Sequence, residues 1–207
     1  MAFTYFFRDE ECLAPAVERL ADAVLGRQRI RVWDAGCADG PEPYTVAILV
    51  AERLGKFQFR NVRIDATDVD ESGHSSQAIE RGSFASSELE RIPPDLRDRY
   101  FQPESSEPPE SGARLRVIEE LRSQVTFQRH DLLSLQAPRS DYQLVVCKNV
   151  LLHFTAEQRV QVLTMFHAAL ERDGTLVMEQ TQPLPQACER LFTRTVQNAS
   201  VYVKRDV

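Results

Sequence analysis

The sequence lacks long apolar runs, and none approaches the ~20 residues that a membrane-spanning helix needs. It also begins without the charged, apolar and small-residue segments of a secretory signal. We therefore expect a cytoplasmic protein with no membrane insertion. Positive charge is in deficit as well. The formal net charge of -6 disfavours a nucleic-acid partner.

Cysteine and histidine are scarce, which argues against two kinds of site. The four cysteines lie far apart and form no C-x-x-C pair; they are Cys12, Cys37, Cys147 and Cys188. In a cytoplasmic protein we expect these thiols to be reduced. The four histidines share no ligand-like spacing, so no metal site is predicted.

Hydrophobic periodicity predicts one α/β domain over residues 1–207, with a variable insertion around 83–124. Helices are predicted over 10–25, from Pro41 through Leu54, over 71–81 and over 155–170, with two short helices within 86–101. Strands are predicted over 29–34, 62–67, 115–118, 125–128, 142–147 and 175–179, with a closing hairpin over 191–204. Alternating strands and helices indicate a parallel sheet with helices on both faces, and the hairpin would add an antiparallel strand.

The first predicted strand leads into a small-residue loop, in which Asp34, Gly36 and Gly40 precede a helix that begins with Pro41. This order is typical of nucleotide sites in α/β proteins. The spacing D-x-G-x-x-x-G departs from the dinucleotide fingerprint. It therefore favours a ligand without a pyrophosphate, such as S-adenosylmethionine (SAM). An ordinary glycine turn between strand and helix is the alternative interpretation.

Polar residues follow three further predicted strands, where ligands bind in such sheets. Asp68 follows the second strand and could accept both ribose hydroxyls. Asp131 and Leu132 follow the third and could bind adenine through a carboxylate and a backbone N–H. The fourth strand leads to the remaining candidates, Cys147, Lys148, Asn149 and His153. Together these positions predict an adenosyl site, although each acid alone could be a helix cap or a solvated loop residue.

The sequence resembles the catalytic domain of the chemotaxis-receptor glutamate methyltransferases of the CheR type. The matching segments are T-Y-F-F-R at 4–8, A-G-C-A-D-G-P-E-P-Y-T at 35–45, A-T-D-V-D at 66–70, D-L-L at 131–133, C-K-N-V-L-L-H-F at 147–154 and D-G-T-L at 173–176. The resemblance implies a class I SAM-methyltransferase (Rossmann-like) fold with a mostly parallel seven-stranded sheet. It also implies methyl transfer to glutamates in the cytoplasmic helical region of a chemoreceptor-like protein, with S-adenosylhomocysteine (SAH) as product.

The resemblance also assigns roles to individual residues. Thr4 and Arg8 match residues at the methionine end of SAM and at the substrate carboxylate. Glu42 matches a SAM-contacting glutamate, and His153 stands where a tyrosine lies beside the transferred methyl. Cofactor roles follow by the same matching for Asp68, Asp131, Leu132, Cys147 and Lys148.

The sequence also departs from the family pattern. Asp34 replaces a common serine, Pro41 replaces the first glutamate of G-E-E-P-Y, and Ala2 replaces an asparagine. We expect no counterpart of the family's N-terminal helical domain, and we expect the segment 102–112 to be a mobile loop. These departures leave two alternatives open. One is a regulatory module that binds SAM or SAH without turnover, and the other is a methyltransferase for another protein or small-molecule substrate.

Overall fold

A computed structural model describes residues 4–71, 73–104 and 114–206. The helices are α1 (Glu10–Ala23), α2 (Pro41–Phe59), α3 (His74–Arg81), α4 (Pro94–Tyr100), α5 (Glu119–Arg122) and α6 (Ala156–Ala169). The strands are β1 (Ile30–Ala35), β2 (Val62–Asp68), β3 (Ser83–Ala85), β4 (Phe101–Pro103), β5 (Arg114–Val117), β6 (Val125–Arg129), β7 (Tyr142–Cys147), β8 (Leu170–Met178), β9 (Phe192–Arg194) and β10 (Val201–Lys204). Ala2 and most of the predicted mobile loop lie outside the described residues.

The main sheet has seven strands in the order β6-β2-β1-β7-β8-β10-β9. The first five strands are parallel, and β10 pairs antiparallel with both β8 and β9. The predicted mostly parallel sheet with a C-terminal antiparallel hairpin is therefore confirmed. Asp34 pairs with Ala66 on one side and Val146 on the other, so the carboxyl ends of β1, β2 and β7 lie together.

Apolar cores lie on both faces of this sheet, because side chains alternate along each strand. On β1, Ile30 and Val32 pack with buried residues of α1 and α2, whereas Trp33 and Ala35 pack on the opposite face with those of α6. Because every second side chain of β1 points to the same face, Asp34 lies on the face of Ile30 and Val32 and is directed toward α2. Among the described helices, none combines the length and the apolar composition that spanning a membrane requires.

The segment 4–9 precedes α1 and is fixed to the domain by its aromatic residues. Phe6 is fully buried and packs edge-on against Phe84 and Phe101, with ring centroids 4.9 and 5.6 Å away. The Phe7 N–H donates to Thr45 Oγ1 at 3.1 Å. A terminus tied down in this way can contribute residues to a site at a fixed position.

A second, three-stranded antiparallel sheet has the order β3-β5-β4. The sequence predicts β5 but misses β3 and β4, and it places the start of a loop at Gln102, inside β4. The two missed strands have only three residues each, so they show no measurable alternation. Their position is instead set by tertiary contacts such as the packing of Phe84 and Phe101 on Phe6.

β8 also differs from the prediction, since it begins at Leu170 and not at Thr175. Leu170 pairs with Tyr142, and Thr175 pairs with Leu144, so the register shifts between the two pairs. The residues between these two pairs are mostly charged and show no apolar alternation, so the sequence pattern does not indicate a strand there. The helix predicted over 155–170 corresponds to α6, which begins with a capping box in which Thr155 Oγ1 accepts from the Gln158 N–H.

Candidate functional site

A cavity of about 610 Å³ opens at the carboxyl ends of β1, β2 and β7. Its volume falls in the range of small-molecule sites, roughly 300–1,000 Å³. Most of the site residues predicted from the sequence line it: Thr4, Arg8, Gly36, Glu42, Asp68, Asp131, Leu132, Lys148, Asn149 and His153. Segments that are far apart in sequence thus meet in one cavity, and the roles of their residues remain predictions.

The loop after β1 depends on Gly36. Its φ of 95° is in the left-handed region, and its N–H donates to the Thr67 carbonyl oxygen at 2.7 Å. A Cβ added to Gly36 would lie 2.2 Å from Val150 Cγ2, closer than atoms can approach. Only glycine therefore lets this loop pass against Val150 at the cavity wall.

Asp68 ends β2 and organises the neighbouring backbone. Its Oδ2 accepts from the Ala38 N–H and its Oδ1 from the Asp70 N–H, both at 3.1 Å. A carboxylate has about four acceptor positions, so Asp68 can still bind hydroxyl groups of a ligand. Val69, next to it, also lines the cavity and is 46% exposed, which provides an apolar surface beside the carboxylate.

Asp131 and Leu132 form the next part of the wall. Asp131 Oδ1 accepts from the Leu133 N–H at 2.8 Å and caps the short helical turn Leu132–Ser134. Leu133 lines the cavity and is 39% exposed. One acceptor position of Asp131 is therefore used locally, and an apolar side chain lies close to it.

Lys148 connects the fourth strand end to the N-terminal segment. Its side chain is fully buried, and its Nζ donates to Glu42 Oε2 at 2.8 Å and to the Arg8 carbonyl oxygen at 2.7 Å. The same Nζ lies 3.7 Å from Asp9 Oδ2, to which Asn149 Nδ2 donates at 3.3 Å. Burial alone would lower the pKa of Lys148, but the negative charges of Glu42 and Asp9 outweigh it and raise this pKa.

Three predicted site residues do not line the cavity: Asp34, Gly40 and Cys147. Cys147 packs with Val145 in the core on the α6 face, because alternation along β7 directs it away from the site. Gly40 has a φ of 105° and turns toward α3, where an added Cβ would lie 3.1 Å from Ile79 Cγ1. The structure thus places these three residues outside the cavity lining, and their cofactor roles remain predictions.

Asp34 lies behind the cavity wall, where it has no solvent exposure and is next to Glu42. Burial raises the pKa of its carboxyl well above the usual range, and the negative charge of Glu42 raises it further. Glu179, at the end of β8, is a second buried acid whose pKa burial raises. Its Oε2 accepts from the Asn149 N–H at 3.2 Å, so it supports the same wall, although no sequence motif indicated a role for it.

The cavity also contains residues that the sequence interpretation did not select. They are Cys37, Ala38, Val69, His130, Leu133, Val150, Leu152 and Phe154. All lie close in sequence to predicted residues, and most are apolar. An apolar residue after a strand looks like core in a sequence, so polarity alone could not find them.

No cluster of three or more His, Cys, Asp or Glu side chains is arranged to hold a metal ion in the part of the chain that the structure describes. The site combines a glycine loop, a carboxylate after β2, apolar surfaces and a buried acid–lysine pair. Together with the strand order of the seven-stranded sheet, this combination defines the class of protein: a Rossmann-like domain of the SAM-dependent methyltransferase type.

The family described as "CheR methyltransferase, SAM binding domain" matches residues 2–200, and the chain belongs to this family. A chemotaxis protein methyltransferase from Listeria innocua is 33% identical over 72% of this chain and 52% of its own length. Chemotaxis protein methyltransferase 1 from Pseudomonas aeruginosa is 30% identical over 87% of this chain and 66% of its own length. The chain thus spans about half to two thirds of the length of these relatives. Among solved structures, a TehB-like SAM-dependent methyltransferase from Corynebacterium glutamicum is similar, at 16% identity and a TM-score of 0.45 over 91% of this chain and 85% of that one.

Proposed function

We propose that this domain transfers the methyl group of SAM to glutamate carboxylates of a protein, and that the substrate is the cytoplasmic helical region of a chemoreceptor-like protein. The observation that carries the proposal is the position of Arg8, which lines the same cavity as Glu42, Asp68 and Lys148. A guanidinium group at an adenosyl-type site can bind a carboxylate beside the cofactor. The names of the chemotaxis relatives support the same substrate class.

The residues of the cavity fit SAM. Asp68 has acceptor positions left for ribose hydroxyls, and Val69 and Leu133 provide apolar surfaces of the kind that an adenine ring can cover. Glu42 and Lys148 provide one negative and one positive charge for the amino-acid end of the ligand. When bound, SAM would supply an electrophilic methyl group on a sulfonium.

The protein's own contribution to this reaction is positioning. A glutamate, with a reference pKa near ~4.3, is already ionised at neutral pH, so no general base is required. Arg8 would hold the incoming carboxylate, and such positioning can contribute about 7–11 kcal/mol. The Arg8 backbone is itself fixed, because its carbonyl oxygen accepts from Lys148 Nζ at 2.7 Å.

His153 has the second predicted catalytic role. It ends the short helical turn Leu151–His153 and lines the cavity between Leu152 and Phe154. An imidazole at this place can donate a hydrogen bond near the transferred methyl or the incoming oxygen.

The proposal is tested by two measurements on the wild-type domain. Isothermal titration with SAH measures cofactor binding, and tritiated SAM with receptor cytoplasmic fragments measures transfer. We expect SAH binding and a protein-bound label that is released by mild base, as a carboxyl methyl ester would be. Arg8→Ala should bind SAH but lose most of the transfer.

The other outcomes separate the remaining functions. SAH binding without any transfer would favour a regulatory module, and a base-stable label would indicate another type of acceptor. Absence of SAH binding at millimolar concentration would contradict both the methyltransferase and the regulatory module.

A further inference from the structure

Asp34 is a buried carboxyl group that faces a second one, that of Glu42. Asp34 has no solvent exposure at the end of β1, and Glu42 is 8% exposed in the first turn of α2. Alternation along β1 directs Asp34 toward α2, whose first turn carries Glu42, and the two carboxyl groups are close enough to influence each other's charge. Within the described residues, no N–H or protein hydroxyl donates to either Oδ atom of Asp34 or to Glu42 Oε1. Two ionised carboxylates are not stable side by side in a buried site, so the pair must hold a proton.

The position of Lys148 decides which of the two acids holds that proton. Glu42 Oε2 accepts from Lys148 Nζ at 2.8 Å, so Glu42 has a cationic partner and can remain ionised. Among the described residues, Asp34 has no comparable donor within hydrogen-bonding distance. Burial and the charge of Glu42 both raise the pKa of Asp34, and the more distant Lys148 lowers it less than they raise it.

We propose that Asp34 is a positioning residue: it remains a neutral acid at neutral pH, donates its proton to Glu42 Oε1, and so holds Glu42 and Lys148 in place at the cofactor cavity. The inference rests on the proposed SAM binding. Its physical reason is charge balance, because neutral Asp34, anionic Glu42 and cationic Lys148 sum to zero in a buried site. A second buried anion without a second cation would be unfavourable by several kcal/mol.

The effect extends beyond the pair through a chain of contacts. Asp34 donates to Glu42, Glu42 accepts from Lys148, and Lys148 donates to the Arg8 carbonyl oxygen at 2.7 Å. The last contact fixes the segment that brings Thr4 and Arg8 to the cavity. Loss of the Asp34 proton would therefore disturb the part of the cavity wall that Glu42 and Lys148 form, and also the segment that carries Arg8.

Other titratable groups also face Asp34, and they add no second cation. They are Glu42 on α2, Lys148 after β7, Asp68 after β2, and the thiols of Cys37 and Cys147. Burial raises the pKa of both thiols, and the neighbouring acids raise it further, so they stay neutral. Among the described groups that face Asp34, Lys148 is the one cation, so raising the pH adds negative charge at Asp34 that this cation alone would have to balance.

Isothermal titration with SAH from neutral to alkaline pH tests the proposal on four proteins: wild type, Asp34→Asn, Asp34→Ala and the control Asp141→Asn. Asp141 is a half-exposed acid just before β7, at the opposite end of that strand from the cavity. We expect wild type and Asp141→Asn to lose affinity roughly tenfold or more as the pH rises, as for a lost hydrogen bond to a charged group. Asp34→Asn should keep its affinity, because the amide still donates to Glu42, and Asp34→Ala should bind weakly already at neutral pH.

Changes in the protonation of SAH with pH affect every variant equally, so they cancel when the affinities of the variants are compared. The proposal is overturned if Asp34→Asn loses affinity as wild type does, or if Asp34→Ala binds like wild type at neutral pH. If Asp34→Asn does not fold, Asp34→Ser, whose hydroxyl also donates, takes its place.

An infrared measurement on the ligand-free protein keeps this test separate from the proposed function. The difference spectrum of wild type minus Asp34→Asn at neutral pH should contain the carbonyl stretch of a protonated carboxyl group. A spectrum with carboxylate bands alone would overturn the proposal. If wild type does not bind SAH but the protonated band is present, then the proposed function fails while Asp34 is still shown to hold its proton.

Discussion

Lys148 Nζ lies 2.8 Å from Glu42 Oε2, and the lysine side chain has no solvent exposure. The pair joins the fourth strand end to the first turn of α2, and the same nitrogen donates to the Arg8 carbonyl oxygen. A single buried cation therefore holds together three segments that are distant in sequence.

Replacing Lys148 by methionine should destabilise the domain by about 3–5 kcal/mol, because it leaves Glu42 buried without its partner. Chemical denaturation at neutral pH measures the change. Lys56→Met is the matched control, since Lys56 forms an ion pair with Glu120 at 3.0 Å but is 73% exposed. Exposed pairs contribute little, so the control should stay close to wild type. Equal losses in the two variants would contradict the structural role of Lys148.

Asp34 should make stability depend on pH in a defined direction. Its pKa is raised in the folded protein above the unfolded value near ~3.9, so the folded state binds more protons over that interval. The stabilisation that the Asp34 proton contributes is therefore fully present below pH ~3.9, and it is lost as the pH rises through the raised pKa of Asp34. The unfolding free energy of Asp34→Asn relative to wild type should increase over the same interval, as measured by denaturation at several pH values. A constant difference between the two proteins would contradict an Asp34 proton bound in the folded state.

Gly36→Ala should both destabilise the domain and abolish SAH binding, because the new Cβ would lie 2.2 Å from Val150 Cγ2 at a positive φ. Gly26→Ala separates the two effects. Gly26 also has a positive φ, of 74°, but has no atom within 4 Å of the added Cβ. The Gly26→Ala variant should therefore lose only the free energy of unfolding that a non-glycine residue loses at a positive φ, roughly 1–2 kcal/mol. It should retain SAH binding. The double variant Gly36→Ala/Val150→Ala should regain part of the stability, and no regain would exclude the steric explanation.

The strand ends were predictable from sequence because each combines an apolar run with a polar residue at its end. Asp34, Asp68 and Lys148 were located in this way, and the parallel sheet brings them together. The direction of each side chain was harder to predict. Cys147 is the last residue of β7 and Lys148 follows it, but Cys147 faces the α6 core, since adjacent residues point to opposite faces.

The three-stranded sheet and the buried acids were not predictable for a different reason. Strands β3 and β4 are too short to show a pattern, and their location depends on Phe6, which is far away in sequence. The Asp34–Glu42 contact likewise forms only when α2 packs on the sheet. An acid in a sequence carries no sign of whether it will be buried, so its protonation state follows from the fold alone.

The family resemblance gives Arg8 two roles, at the methionine end of SAM and at the substrate carboxylate, and we expect the substrate role to contribute more to catalysis. Arg8→Lys keeps the charge but loses the planar fork that binds a carboxylate through two N–H groups, so we expect kcat/KM for the receptor fragment to fall by at least about tenfold. Arg8→Ala should lose more, while SAH affinity changes little in both variants. Steady-state kinetics and titration with SAH measure the two effects. A parallel loss of SAH affinity would instead assign Arg8 to the cofactor.

The chemical identity of the methylated group tests the central claim most directly. Mass spectrometry can locate the added methyl on a receptor cytoplasmic fragment after incubation with this domain and SAM, before and after mild base. The account predicts methyl groups on glutamate side chains, removed by base and absent when those glutamates are replaced by glutamine. Methyl groups on another residue type, or none while SAH binds tightly, would contradict it.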